Sequence, residues 1–134
     1  MADSTRVGLK GIMTRLLAYS DLTDIVSTRI YSNIPQQTTF PYVDVAFTST
    51  DWSQKDDANM QHSVIVSAYS RTSSPSEAMQ IGEEVYNALN RQENNITLDT
   101  GSVILLQFSG VKTTFKDADG KTWHSVTEFN FVID

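Results

Sequence analysis

Histidine, cysteine and carboxylate side chains would carry most of the chemistry available to a chain of this size. The sequence has two histidines, His62 and His124, and no cysteine. A metal centre needs several ligands at defined spacing, and a general base needs partners that orient it and its substrate. His62 opens one predicted strand and His124 lies in another, without such partners nearby in the sequence. We therefore predict structural or surface histidines, no metal site and no cofactor.

The acidic turn Asp117-Ala118-Asp119-Gly120 is a second candidate for ion binding. A calcium loop of the EF-hand type needs more acidic ligands before the glycine and a glutamate after it, at the place where this chain has Val126. No serine lies in a Gly-x-Ser-x-Gly motif, and no glycine-rich phosphate-binding motif is present. The sequence offers no catalytic residues, so the protein is not expected to be an enzyme.

Composition and charge limit the class of protein further. The chain has 134 residues, 40% of them hydrophobic, which suits a single domain, residues 1–134, around one core. Its formal net charge of −6 argues against a protein that binds nucleic acid tightly, although DNA could pass beside an acidic surface that repels it. The sequence has no apolar run long enough to span a membrane, and its first residues do not resemble a signal peptide. We expect no membrane partner.

Hydrophobic periodicity predicts an α+β domain. Helical spacing covers residues 5–19, a short helical turn follows at 20–24, and Ser74-Pro75-Ser76-Glu77 is a capping box that opens a second helix. Alternating patterns predict strands at 42–50 and 62–70, a short strand at 96–98 and a C-terminal hairpin, with a loop at 51–61. The predicted fold is a mainly antiparallel sheet of about four to five strands with two helices packed on it and a long C-terminal β-hairpin.

The C-terminal hairpin has the most strongly specified register. Extended runs at 103–116 and 121–133 flank the turn 117–120, in which Gly120 supplies the positive φ. A four-residue loop sets Phe108 opposite Phe129, and a slip by one residue would mix the apolar and polar faces. The same register predicts these further pairs: Lys116/Lys121, Phe115/Thr122, Thr114/Trp123, Leu106/Phe131, Ile104/Ile133, Gln107/Asn130 and Ser109/Glu128.

The hairpin is long for the size of the domain. About 13 residues at about 3.3 Å each span about 43 Å, whereas a compact domain of this length has a diameter of about 36 Å. We therefore expect the hairpin to curl strongly or to extend to a partner. Its aromatic residues Phe115 and Trp123, together with Trp52 in the predicted loop, either pack on the home core or anchor a protein interface.

The ordered set of segments resembles the tail completion, or tail terminator, proteins of long-tailed bacteriophages, a family also found in gene transfer agents. The resemblance covers nearly the whole chain. It rests on the N-terminal helix and on the segments Ser20-Asp21-Leu22-Thr23-Asp24-Ile25-Val26, Arg29-Ile30-Tyr31, Ile34-Pro35, Phe40-Pro41-Tyr42-Val43, Tyr69-Ser70-Arg71, Glu77-Ala78 and Asp117-Ala118-Asp119-Gly120-Lys121-Thr122. The family carries no catalytic or cofactor residues.

The resemblance implies a structural virion protein that forms a ring, typically a hexamer, at the head-proximal end of the tail tube. Such a ring would end tube polymerisation and join the tail to the head. Its implied partners are further copies of itself, the tail tube protein and the head–tail connector or stopper protein, while DNA passes through the lumen without specific binding. The implied location is the neck of the virion, after synthesis in the cytoplasm of the bacterial host.

Other functions stay open at this stage. Proteins of similar size and fold also serve as head–tail joining proteins and as tube subunits, and a monomeric module that binds a small ligand near Trp52 belongs to a different class. The residues themselves, and not the resemblance, suggest an interface formed by the distal hairpin and the aromatic loop. We expect it to include Trp52, Lys55, Phe115, Lys116, Asp117, Asp119, Lys121 and Trp123.

Overall fold

The structure, a computed structural model, describes residues 5–50 and 60–134. The predicted α+β class is confirmed: within these residues three α-helices and a 3-10 turn, Glu93–Asn95, accompany one five-stranded sheet. None of the described helices is long and apolar enough to cross a membrane. The elements are α1 (Thr5–Ala18), α2 (Ser20–Val26), β1 (Ile30–Tyr31), β2 (Tyr42–Thr50), β3 (Met60–Ser70), α3 (Ser76–Leu89), β4 (Val103–Lys116) and β5 (Trp123–Ile133).

The C-terminal hairpin lies within the sheet, whose strand order is β1-β2-β3-β5-β4. β5 pairs antiparallel with β3 along its whole length, from Ile133 opposite Met60 to Trp123 opposite Ser70. β4 is therefore an edge strand and β5 a central one. The hairpin is therefore accommodated within its own sheet, since β3 matches β5 in length, and contact between its tip and a partner stays a prediction.

The predicted register is correct at the base of the hairpin and wrong in its distal half. Phe108 faces Phe129 as predicted, but beyond it the register shifts, so that Lys112 faces Thr127. Gly110 lies in this irregular segment with a φ of 98°, a value that favours glycine. The confirmed pairs are Leu106/Phe131 and Gln107/Asn130, whereas Val103 replaces Ile104 opposite Ile133, and Phe115/His124, Thr114/Ser125 and Lys116/Trp123 replace the predicted distal pairs.

The helices pack on one face of the sheet, which we call the helix face. Alternate residues of the strands are buried there because a β-strand directs successive side chains to opposite faces. Helix α1 approaches closely at Gly8, where an added Cβ would lie 2.8 Å from Ile133 Cδ1. The core includes Ile12, Leu16, Val43, Val45, Val64, Val66, Ile81, Val85, Leu89, Leu106, Phe129 and Phe131.

Two local predictions differ from the structure. Glu77 does not close the predicted capping box, because its carboxylate accepts a hydrogen bond from Ser70 Oγ at 2.6 Å, and α3 begins at Ser76 with no side-chain cap. The segment 96–98 is not a strand, although Ile96 is buried in the core. In both cases a contact with another part of the fold outweighs the local pattern.

Candidate assembly surface

The second face of the sheet, which we call the open face, has none of the described helices packed on it. The strand register places on it Asp44 of β2, Ser67 of β3, and Val126 and Glu128 of β5. These side chains are buried only in part, apart from Ser67 at 8% exposure. The other members are Tyr42, Ala46, Thr48, Ser63, Ile65, Tyr69, His124, Asn130, Val132, Gln107, Thr113 and Phe115.

A row of aromatic rings crosses the open face near the hairpin turn. The ring of Tyr69 stacks on Tyr42 at 4.9 Å and on His124 at 4.3 Å between centroids. His124 in turn contacts Phe115 at 4.9 Å. The four rings come from four neighbouring strands, β2, β3, β5 and β4. His124 is thus held by packing, and its Nδ1 lies 3.4 Å from Asp117 Oδ1.

Charge on the open face is acidic. Among the described strand residues that lie on it, Asp44 and Glu128 are acidic and none is a lysine or arginine. Burial raises the pKa of Asp44, and the nearby His124 opposes this shift. An acidic face without bases repels a polyanion such as DNA. The face can therefore border DNA without holding it.

The turn that joins β4 to β5 is stabilised by Asp119. Its carboxylate accepts hydrogen bonds from the amides of Lys121 and Thr122, at 2.8 and 2.9 Å, and from Thr122 Oγ1 at 2.7 Å. The bond from the Lys121 amide, followed by those from Thr122, holds the pKa of Asp119 far below its usual range. Arg71 Nη2 adds an exposed contact at 3.5 Å. Asp119 therefore fixes the shape in which the turn is presented.

The edge of β4 is covered along one half and open along the other. In the covered half, the amide of Leu106 donates to Glu93 Oε2 at 2.9 Å, and its carbonyl accepts from the amide of Arg91 at 2.8 Å. The amide of Phe108 donates to Asn90 Oδ1 at 3.0 Å. The segment after α3 thus satisfies the backbone of the β4 edge up to Phe108.

Beyond the register shift, Lys112, Thr114 and Lys116 direct their backbone groups away from β5. This follows from the hydrogen bond between the Asp117 amide and the Thr122 carbonyl, 2.7 Å, because inward and outward residues alternate along an antiparallel pair. Within the described part of the chain no residue bonds to these outward groups. Lysine side chains at an edge discourage indiscriminate strand pairing. We call this segment, 112–116, the open β4 edge.

A groove of about 430 Å³ lies beside the open β4 edge, on the helix face. It is lined by Met79 and Glu83 of α3 and by Lys112 and Thr114 of β4. Met79 is half exposed. The groove separates part of α3 from the distal half of β4, although Lys112 Nζ still lies 5.9 Å from the centroid of the Tyr86 ring. The side chains of Lys112 and Lys116 are exposed in this half of the strand.

The predicted interface residues divide into two groups. Trp52 and Lys55 lie outside the described residues. The other six gather at the turn end of the hairpin, but on both faces: Phe115, 41% exposed, lies on the open face, while Trp123 lies on the helix face with Lys116 Nζ 5.1 Å from its ring centroid. The predicted pairs Phe115/Thr122 and Thr114/Trp123 also imply opposite faces, and the register shift changes only the partners of the two aromatic residues.

Sequence reasoning missed the aromatic row and the open β4 edge. Tyr42 begins the predicted strand 42–50 and Tyr69 lies near the end of the predicted strand 62–70, so an antiparallel pairing of those strands would have placed them together. The edge position of β4 carried no comparable signal, because it depends on the pairing of β3 with β5.

Comparison with known proteins gives a consistent result. The structure is similar to a chain of the solved structure titled "Virion of native gene transfer agent (GTA) particle", with a TM-score of 0.84, 19% sequence identity and coverage of 97% of this chain and 98% of that one. No curated protein sequence matches the chain. The family described as "Tail completion protein gp17" matches residues 10–134, which confirms the predicted family and virion location. The chain belongs to this family of structural proteins of the bacteriophage virion.

Proposed function

We propose that this protein forms a ring, a hexamer, at the head-proximal end of the tail tube, where it ends tube polymerisation and joins the tail to the head connector. The observation that carries this proposal is the match to the tail completion family over residues 10–134. The similar chain in the gene transfer agent particle supports the fold that the role requires. The match to structural proteins also supports a role without catalysis.

The open face supports a position around DNA. A tail ring must let DNA through without binding it tightly, and its lumen therefore needs a surface that lacks a basic stripe. The open face meets this requirement, with Asp44 and Glu128 as its charged residues among those described. Its remaining residues are polar, aromatic or aliphatic, the last group including Ile65, Val126 and Val132. We infer that this face borders the lumen.

Ring closure requires each copy to offer two different surfaces to its neighbours. The two edges of the sheet are such a pair. One edge is formed by β4, and the other by the two-residue strand β1 and by the part of β2 that β1 does not cover. The turn end of the hairpin, with Phe115 and Lys121, is then presented to a further partner, either the tail tube protein or the connector.

The same fold could serve as a connector or a tube subunit, and particles made without this protein distinguish these roles. We expect overlong tails, or tails not joined to heads, in negative-stain images of such particles. Empty unjoined heads accompanied by normal tails would instead indicate a connector, and the absence of tails would indicate a tube subunit.

Solution measurements test the ring itself. We expect a hexamer by size-exclusion chromatography with light scattering, either alone or in the presence of the tail tube protein of the same particle. A monomer under both conditions would contradict the proposal. The competing idea of a monomeric ligand-binding module predicts an enclosed apolar pocket, whereas the groove beside the open β4 edge is lined partly by Glu83 and Lys112.

A further inference from the structure

The sheet has a second open edge, on β2. Strand β1 covers the edge of β2 only near its start, where the amide of Val43 donates to Arg29 O at 2.9 Å and Tyr31 pairs with Asp44. Because Val43 directs its backbone groups outward, Val45 and Phe47 do so as well. Within the described residues, nothing bonds to the outward groups of Val45 and Phe47. We call the segment that begins at Val45 the open β2 edge.

The two open edges lie at different heights of the sheet. Following the register across the sheet, Lys112 is level with Thr127, then Val66, then Val45. Thr114, at the middle of the open β4 edge, is level with Val43 by the same route through Ser125 and Ala68. The open β2 edge extends from Val45 in the direction away from Val43, and it includes Phe47. A neighbouring copy that joins the two open edges must therefore be displaced by about four residues along the strands.

This displacement is close to what a closed barrel needs. Four residues at about 3.3 Å are about 13 Å along the strands, and the four strands β2, β3, β5 and β4 at about 4.8 Å are about 19 Å across them. The ratio corresponds to a strand tilt of about 35°, and strands in closed barrels tilt by about 35–45°. A displacement of this size at every contact is therefore compatible with a closed ring, and the tilt does not depend on the number of copies.

The direction of the displacement also fits. On a strand that runs upward, a residue whose side chain points at the viewer directs its backbone groups to the right, because of its L chirality. Viewed from the helix face with β3 running upward, β4 also runs upward. The side chain of Thr114 then points at the viewer and its backbone groups point away from β5, so β4 is the right-hand edge of the sheet. The neighbour is then displaced upward to the right, and the strands tilt to the right as right-twisted strands do in a barrel seen from outside. The helices thus lie outside and the open face inside.

We propose that the open β4 edge of one copy pairs antiparallel with the open β2 edge of the next copy, so that the sheets of the ring form one continuous barrel. β4 runs parallel to β3 and β2 runs antiparallel to it, so the new contact is antiparallel like most others in the sheet. The occupant of the edge is a second copy of this chain. The proposal rests on the ring of the proposed function and specifies its subunit contact.

The register of the contact places Thr114 opposite Phe47 of the neighbour. Thr113 is then opposite Thr48 of the neighbour, and both are exposed on the open face. The pair Thr113–Thr48 is one that does not exchange backbone hydrogen bonds, so the two side chains lie close together. The chain has no cysteine, so an introduced pair would be the only thiols of this chain.

The first test is the double variant Thr48→Cys/Thr113→Cys, oxidised and run on a non-reducing gel. We expect a ladder of covalent oligomers and loss of most of the monomer band, and the ladder should collapse on reduction. The matched control is Thr48→Cys/Gln107→Cys, because Gln107 is exposed on the same face of β4 but lies in the half whose edge is covered. The control should stay monomeric on the gel.

The second test is Thr114→Pro, which removes an outward amide and leaves the backbone hydrogen bonds between β4 and β5 in place. It also removes the weak side-chain bond from Thr114 Oγ1 to Ser125 Oγ, 3.4 Å, and Thr114→Val removes that bond too. We expect an unchanged fold by circular dichroism and loss of the ring by light scattering, whereas Thr114→Val should keep both. A ring that forms without the cross-link and survives Thr114→Pro would overturn the edge pairing and leave the proposed function intact. A disulfide from the Thr113→Cys position to the tail tube protein in place of a second copy would also overturn it, and the absence of any ring would contradict both proposals.

Discussion

Replacing Phe129 with alanine tests the placement of β5 at the centre of the sheet. The Phe129 side chain is fully buried on the helix face, packed against Phe108 with ring centroids 6.1 Å apart and opposite Val64 of β3. Strands β3 and β4 flank it on its two sides. A central strand covered by helices leaves it no contact with water.

The expected cost of Phe129→Ala follows from this burial. Removing a fully buried phenylalanine ring costs about 3–5 kcal/mol, from lost transfer free energy and from the cavity that remains. Since domains of this kind unfold with about 5–15 kcal/mol, the variant should lose a large part of its stability. The midpoint of thermal unfolding should fall by on the order of 10 °C.

Urea denaturation followed by circular dichroism, at one fixed protein concentration, measures the change. The concentration must be fixed because association adds to the apparent stability. The matched control is Asn130→Ala, the next residue along the same strand, whose side chain lies half-buried on the open face. The control should cost less than about 1 kcal/mol. A loss for Phe129→Ala no larger than that of the control would refute the central position of β5.

Three further predictions concern other parts of the chain. Gly101→Ala should destabilise the protein more than Gly110→Ala in the same urea assay. Both glycines have a positive φ, but a Cβ added at Gly101 would lie 2.6 Å from the carbonyl oxygen of Asp134, whereas a Cβ added at Gly110 would have no atom within 4 Å. Equal losses of stability would contradict the close approach at Gly101. Asp119→Asn should lower the melting temperature at pH 7, and its difference from the natural protein should narrow as the pH falls through 3.8, the ordinary pKa of aspartate, and below. The reason is that a carboxyl group whose pKa is lowered in the folded state stabilises the protein above its ordinary pKa and loses this contribution in acid. A difference in melting temperature that does not depend on pH would refute this role. Glu128→Lys should leave ring assembly intact by light scattering but reduce infectivity or DNA transfer, because it places a base on the face that we propose borders DNA. Glu128→Gln should preserve both, and full transfer by the lysine variant would contradict a lumenal open face.

The sequence correctly predicts the elements whose structure is determined by residues close to one another in the chain. Alternation along β4 and β5 fixed Phe108 opposite Phe129, because a slip of one residue would have turned the apolar side chains outward. Helix α1 and strand β2 likewise follow their hydrophobic periods. In each case the pattern and the packing require the same arrangement.

The features that sequence did not predict depend on contacts between distant segments. The pairing of β3 with β5 decides which strands are at the edges, and no local pattern marks it. The register shift after Phe108 follows from the positive φ at Gly110, which a single glycine in a strand suggests only in part. Glu77 had a suitable position for a capping box but a closer partner in Ser70. The predicted interface residues of the hairpin therefore gather at its turn end and stay a prediction, while the open β4 edge and the aromatic row were missed.

Cryo-electron microscopy of the intact particle, focused on the neck between head and tail, is the most direct test of the proposed role. We predict that this chain forms one six-membered ring at the head-proximal end of the tail tube, with its helices outside and the open face towards the DNA. Copies of the chain repeated along the tail, or bound only to the head side of the connector, would contradict the role as a tail-completing ring.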